Sequence, residues 1–402
     1  MYEKSKKPSQ KSLWALDYLN LFLADVRDGV GPYLAIYLKA SENWNPANIG
    51  IAMSASTIAT VIAQTPTGAL VDRLRQKRML IVVAAAIVSI GCIAIALFPS
   101  FPIVIGGQIL IGLAAAVFPG AIAAITLGLV GHDHLDRRIG RNESFNHAGN
   151  VLAAILAGLV GSFITSKGIF FLVAAMAVAS AIAVLRIREK EIDHELARGA
   201  KDEDEDVSEE HPHHLSGLSQ LFSDRRILLF CLAVVLFHFA NAAMLPLVGQ
   251  RLSEGKAAGA TLYMSACIIV AQLVMIPSAN LAGRFAHAER KPIFLFGFAV
   301  LPIRGILYTL TNNPYFLVSV QILDGVAGGI FGVLSVLMVA DLTKGTGRFN
   351  VTQGALNTAV GIGACLSNLL AGFVVQKAGY NVAFVGLAAI RLWRLRFAQS
   401  LS

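Results

Sequence analysis

The sequence predicts an all-α membrane protein, with twelve transmembrane helices in two pseudo-symmetric six-helix bundles and a short last helix. Three features predict it. First, 55% of the 402 residues are hydrophobic and only 14% are charged, where a soluble domain carries about 25% charged residues. Mean hydropathy is +0.65. So little polar side chain cannot cover a water-soluble body, which excludes a soluble enzyme and a disordered regulator. Second, apolar stretches long enough to cross about 30 Å of hydrocarbon recur along the whole chain. Third, the chain repeats itself at a lag of about 210 residues.

The spans fall in order near 13–38, 47–71, 79–98, 101–130, 143–165 and 169–185. A second set follows near 227–250, 259–282, 292–311, 314–341, 349–375 and 379–395. Backbone polar groups in lipid need internal partners, so each span is expected to be a helix. Ahead of them Tyr2–Ser12 is a basic tail with no cleavable signal peptide. The predicted division is 1–186, a linker at 187–226, and 227–402. The linker holds Asp202, Glu203, Asp204, Glu205 and Asp206, then Glu209, Glu210, His211, His213 and His214. Its composition is that of a solvated loop. The histidines offer metal binding or pH sensing as the second reading. The final span has only Tyr380–Ile390 free of charge, about 17 Å at the helical rise, unless Arg391, Arg394 and Arg396 snorkel.

Twenty-six of the 33 Lys and Arg fall on one side if the N-terminus is inside, five fall on the other, and Arg27 and Arg304 lie within spans. That bias predicts both termini in the cytoplasm. It also accounts for the +8 net charge as topology, so no nucleic-acid partner is expected. The four cysteines (Cys92, Cys231, Cys267, Cys365) sit in apolar runs without metal-ligand or disulfide spacing, as small packing residues.

The repeat is carried by four ordered patches. Gln108–Ala114 matches Gln321–Ala327, with Phe118 and Phe331 in register. Met53–Ala55 and Pro66 match Met264–Ala266 and Pro277. Pro32 and Leu38 match Pro246 and Leu252, and Gly140, Arg141 and Asn150 match Gly347, Arg348 and Asn357. Two six-helix repeats joined by a linker are how many transporters place a midplane site.

The loop after the second span reads Gly68-Ala69-Leu70-Val71-Asp72-Arg73-Leu74-Arg75-Gln76-Lys77-Arg78. It resembles the loop signature of the major facilitator superfamily, Gly-x-Leu-x-Asp-Arg-x-Gly-Arg-Lys, with Arg75 at the second glycine and Gln76 at the following arginine. Gly283, Arg284, Arg290 and Lys291 form a worn mirror copy. With the spans and the repeat, the resemblance covers the whole chain. It implies that Gly68, Asp72, Arg73 and Lys77 form a conformational lock. Gly68 would allow close helix approach, and Asp72 would meet a helix N-terminus or Arg73. The alternative for the basic residues is simple positive-inside anchoring. Two family features are absent: Gln108 stands where proton-coupled members often carry arginine, and the fifth span lacks a Gly-Pro-x-x-Gly-Gly run.

Ionisable side chains at mid-bilayer cost several kcal/mol unless paired or hydrated, so each marks a candidate site. The first span holds Asp25, Arg27 and Asp28, loosened beyond by Gly29, Gly31 and Pro32. His238 and Asn241 in the seventh span and Asp324 in the tenth lie at similar depth. The resemblance implies that helices 1, 4, 7 and 10 line the cavity, and Asp25, Arg27, Asp28, Gln108, His238, Asn241 and Asp324 all fall on these four. Arg304, in the ninth, is the exception, expected to turn inward and pair with Asp324. Each has a structural alternative: an Arg27–Asp28 pair, a packing His238, and Gln108 with Gln321 as interhelical hydrogen-bonding groups. Asp25, with no cation at hydrogen-bonding spacing in its own helix, is the proton-carrier candidate.

The expected function is secondary active transport of a small solute by alternating access, proton-coupled, as an antiporter with export favoured, in the inner or plasma membrane. No cofactor or metal is implied, and the chain is expected to be monomeric. The alternatives are an uptake permease or facilitator for a metabolite or metal chelate, and a non-transporting receptor. Phosphate-binding loops, His-Glu-x-x-His and serine elbows are absent from the sequence, so an enzyme is not expected.

Overall fold

The computed structural model describes residues 8–27, 30–131, 134–194, 196–198, 225–254, 257–285, 290–342 and 349–389. They form α-helices and two 3-10 turns, with no strand among them. In chain order the helices are α1 (Gln10–Arg27), α2 (Pro32–Ala40), α3 (Pro46–Arg73), α4 (Lys77–Leu97), α5 (Phe101–Ala115), α6 (Val117–Val130), α7 (Leu135–Phe163) and α8 (Gly168–Arg186). There follow α9 (Arg225–Asn241), α10 (Met244–Ser253), α11 (Ala257–Phe285), α12 (Arg290–Leu310), α13 (Pro314–Ser319), α14 (Gln321–Leu342) and α15 (Phe349–Ala389).

Ten helical stretches among the described residues are long and apolar enough to cross a membrane. The other two of the twelve spans are hidden by interruptions. The first is cut between α1 and α2, where Gly31 takes φ +48° ahead of Pro32. The last two run together as α15, which carries a break at Gly379 (φ 83°, ψ 170°). After that break the helix continues to Ala389, and residues 390–402, including the three arginines of the predicted short span, lie outside the described residues. Ile62, Ile90, Val178, Leu273 and Phe296 are more than half exposed. Such apolar exteriors suit lipid as solvent.

The chain forms two compact units, one of residues 1–31 and 58–208, the other of residues 32–57 and 209–402, so the division falls within α3. In the first unit α1 packs against α7 and α8, and α4 against α5 and α8. Close contact depends on glycine: a Cβ on Gly149 of α7 would stand 2.0 Å from the Leu21 carbonyl oxygen of α1. In the second unit α9 packs against α15, and α11 against α14. There a Cβ on Gly363 of α15 would stand 2.3 Å from the Val235 carbonyl oxygen of α9. Gly149 and Gly363 are 214 residues apart, as are Leu21 and Val235. The repeat read in the sequence is therefore also a repeat of backbone contacts.

Residues 187–194 and 196–198 correct the reading of 187–226 as solvated throughout. They fold back onto the first unit as two short turns, Glu189–Glu191 and Leu196–Arg198. Ile187, Ile192 and Ala197 are buried, and the Asp193 amide donates to the Gly128 carbonyl at 2.8 Å. Arg78 donates to the Ile187 carbonyl at 2.6 Å and pairs with Glu189. Burial pushes the Glu191 carboxyl up, but hydrogen bonds from Ser12, from the Ser9 amide and hydroxyl and from Arg188 outweigh it and hold the group below its ordinary value.

Candidate functional site

Two spans break at equivalent places. α1 ends at Arg27 and α9 at Asn241, again 214 residues apart. Each is followed, after a short interruption, by a helix of nine or ten residues. Broken helices free backbone polar groups and collect polar side chains at membrane depth. Asp25 and Arg27 lie in the last turn before the first break; His238 and Asn241 lie in the last turn before the second.

In the second unit the break is joined to the most buried guanidinium among the described residues. Arg304 of α12 is 1% exposed. Its Nη1 donates to Asp324 Oδ1 at 2.5 Å and to Asn241 Oδ1 at 2.6 Å. Its Nη2 donates to Gln321 Oε1 at 3.1 Å, and its Nε to the Tyr308 hydroxyl at 2.7 Å. Gln321 Nε2 in turn donates to that hydroxyl at 2.8 Å. Four acceptors on three helices thus surround one cation. The expected inward turn of Arg304 and its pairing with Asp324 are both present. Asp324 keeps 17% of its side chain exposed, so the network has one exposed edge. His238 stands one turn from Asn241 with its ring edge-on to Phe331, centroids 4.9 Å apart. Tyr308 and the depth at which Gln321 joins the cluster were not legible in sequence; the i, i+4 spacing of Arg304 and Tyr308 was the available signal.

In the first unit Asp25 is partly buried on α1, near enough for its charge to act on Cys92 of α4. Gln108 is buried in α5. Asp28, and with it the Arg27–Asp28 pair, lies outside the described residues. The acid that sequence reading passed over is Asp17, 1% exposed near the start of α1. It accepts from Arg138 Nη2 at 2.7 Å and from Arg141 Nη2 at 2.7 Å, both on α7. In the sequence Arg138 reads as a topology signal and Arg141 as that and as part of the repeat, yet their i, i+3 spacing puts both on one face.

The loop residues divide. Lys77 is 1% exposed and donates to the Val71 and Leu74 carbonyls, each at 3.0 Å, closing the C-terminal end of α3. A cation is favoured there by the unpaired carbonyls and the helix dipole. A Cβ on Gly68 would meet nothing within 4 Å among the described residues, so the expected close approach at Gly68 is not made here. Arg73 is exposed at the end of α3, and the Asp72 side chain is outside the described residues.

Residues 18–311 match the family model described as Major Facilitator Superfamily. An uncharacterized MFS-type transporter of Mycobacterium tuberculosis (strain H37Rv) is 51% identical over 377 residues, covering 94% of this chain and 89% of its own. The uncharacterized MFS-type transporter YuxJ of Bacillus subtilis (strain 168) is 29% identical over 175 residues, 42% of this chain and 44% of its own. Among solved structures, the nucleoside transporter NupG superposes with a TM-score of 0.75 at 17% identity, over 97% of this chain and 99% of that one. An inward-facing bacterial homolog of the human lysosomal transporter Spinster superposes with a TM-score of 0.70 at 13% identity, over 96% and 95%. The likeness to these solved structures is one of fold; the family match and the mycobacterial relative establish that the chain is a multi-pass membrane protein belonging to the major facilitator superfamily of transporters.

Proposed function

We propose that this transporter moves a small polar, zwitterionic or cationic solute by alternating access coupled to protons, with both termini in the cytoplasm of a cell membrane. The observation that carries the reading is the pair of equivalent helix breaks, each with polar or ionisable side chains in the turn before it. Such breaks are tolerated at membrane depth only where they line a protein-enclosed or wet cavity. Arg304 is neutralised by Asp324, so the second unit presents carboxylate, amide and hydroxyl groups rather than a bare cation. That composition suits a ligand rich in hydrogen-bond donors.

Asp25 is the proposed proton carrier. Closing a site around a carboxyl favours its protonated form, and opening it to water favours ionisation. A cycle between the two ties proton movement to access. Export is the proposed direction, following the family resemblance, and the chain is proposed to act as a monomer. The test is flux in proteoliposomes with and without a pH gradient. Asp25→Asn is expected to abolish gradient-driven accumulation and to retain solute exchange. Full pH-driven transport by that variant would remove Asp25 from the role, and flux inward only would reverse the direction.

A further inference from the structure

Outside the proposed transport path, the first unit contains a recess of about 470 Å³ between the N-terminal ends of α1 and α7. Asp17, His134, Arg137, Arg138 and Arg141 line it, beside the apolar Leu13. Among the described residues that line it, Asp17 is the one carboxylate, and it is already committed. One oxygen accepts from Arg138 at 2.7 Å, and both accept from Arg141. Arg138 is held further by Asn142 at 3.0 Å and the Leu13 carbonyl at 3.2 Å, and Asn142 by Thr126 at 3.0 Å. The Arg138 and Arg141 guanidiniums are therefore fixed before anything binds. Such preorganisation lowers the ordering cost of a ligand.

The charge does not balance. Among the described lining residues three guanidiniums stand with one carboxylate. Arg137 is exposed, with no carboxylate partner among the described residues. Arg141 keeps about half its side chain exposed after pairing with Asp17. Leu135 begins α7 here, and its N-cap residue, His134, makes no side-chain cap, so the dipole adds to the positive field. A compact oxyanion with several acceptor oxygens meets these forks best.

We propose that this recess is an oxyanion site that binds a phosphate group. The phosphate can belong to a soluble ester or to an anionic lipid headgroup, and both present the same oxygens to the arginines.

The test uses the full-length chain purified in detergent with zwitterionic lipid. Its thermal unfolding midpoint is followed against inorganic phosphate and glycerol 3-phosphate, with chloride at matched ionic strength. A second arm titrates phosphatidylglycerol against phosphatidylcholine. A saturable rise in the midpoint is expected with at least one phosphate source. Arg137→Gln is expected to weaken it about tenfold, the loss of one charge-assisted hydrogen bond. Arg137 is exposed and outside the Asp17 pair, so the variant folds. Lys190→Gln, which removes an exposed cation elsewhere on the same unit, is expected to leave it unchanged. A response to the soluble phosphates alone assigns a soluble ligand, and a response to phosphatidylglycerol alone assigns a headgroup. No saturable response to any of the three, or an undiminished response in Arg137→Gln, overturns the site.

Discussion

Asp324→Asn separates the structural from the transport role of the Arg304 network. The substitution keeps an acceptor near Nη1 but removes the counter-charge of a guanidinium that is 1% exposed. Removing one partner of a buried pair costs about 3–5 kcal/mol, because the other charge stays buried. Three neutral acceptors remain, on Asn241, Gln321 and Tyr308, and Asp324 itself is partly exposed. The lower end, about 3 kcal/mol, is therefore expected. Replacing both partners, as Arg304→Met with Asp324→Leu, removes the stranded charge and should bring stability back to within about 2 kcal/mol of the native chain. The double variant should thus be more stable than Asp324→Asn, while remaining inactive in flux if the carboxylate contacts solute or protons. Reversible unfolding in mixed micelles gives the free energies, and a cycle completed with Arg304→Met and Asp324→Leu as single variants gives the coupling. An Asp324→Asn chain within about 1 kcal/mol of native, or strictly additive effects, would refute the claim that these groups form one interdependent unit.

Three further outcomes follow from the same coordinates. Gly149→Leu and Gly363→Leu should each lower unfolding free energy by at least about 1–3 kcal/mol, as for overpacking, because even a Cβ would stand 2.0 and 2.3 Å from a carbonyl. Gly140→Ala, with open space around it, should be neutral or stabilising by up to about 1 kcal/mol; equal losses at all three sites would dispose of the repeated contact. Lys77→Met should cost about 1–3 kcal/mol by leaving two helix-end carbonyls without their donor and speed proteolysis after α3, whereas exposed Arg75→Gln should stay within about 0.5 kcal/mol. Because the Glu191 carboxyl is held below its ordinary value, its stabilising share is present above that ordinary value and lost as pH falls through the depressed one. The hydrogen-exchange protection factors of residues 187–194, corrected for the intrinsic pH dependence of amide exchange, should therefore fall on acidification in the native chain and show a flatter pH response in Glu191→Gln; identical profiles would release Glu191 from holding the turn.

What sequence reading recovers and what it misses have one physical origin. Spans, breaks and repeat are legible because lipid imposes them residue by residue: an apolar run must be long, and a polar group within it must be tolerated for a reason. Arg304 and Asp324 stood out on that ground, and they meet. Asp17, Arg138 and Arg141 did not, because a charge near the end of a span has an inexpensive explanation in the positive-inside bias. Only the packing of α1 on α7 through Gly149 brings those three side chains together, and close backbone approach leaves no mark in hydropathy. Lys77 carries the same lesson. Its place in a family loop suggested a moving lock, whereas its ammonium is buried in the end of α3, holding two carbonyls. A cation spent on its own helix end is poorly suited to exchanging partners during a cycle. Asp324 in the second unit and Asp25 in the first both keep part of their side chains exposed, and it is at these two carboxyls that coupling to protons should be sought.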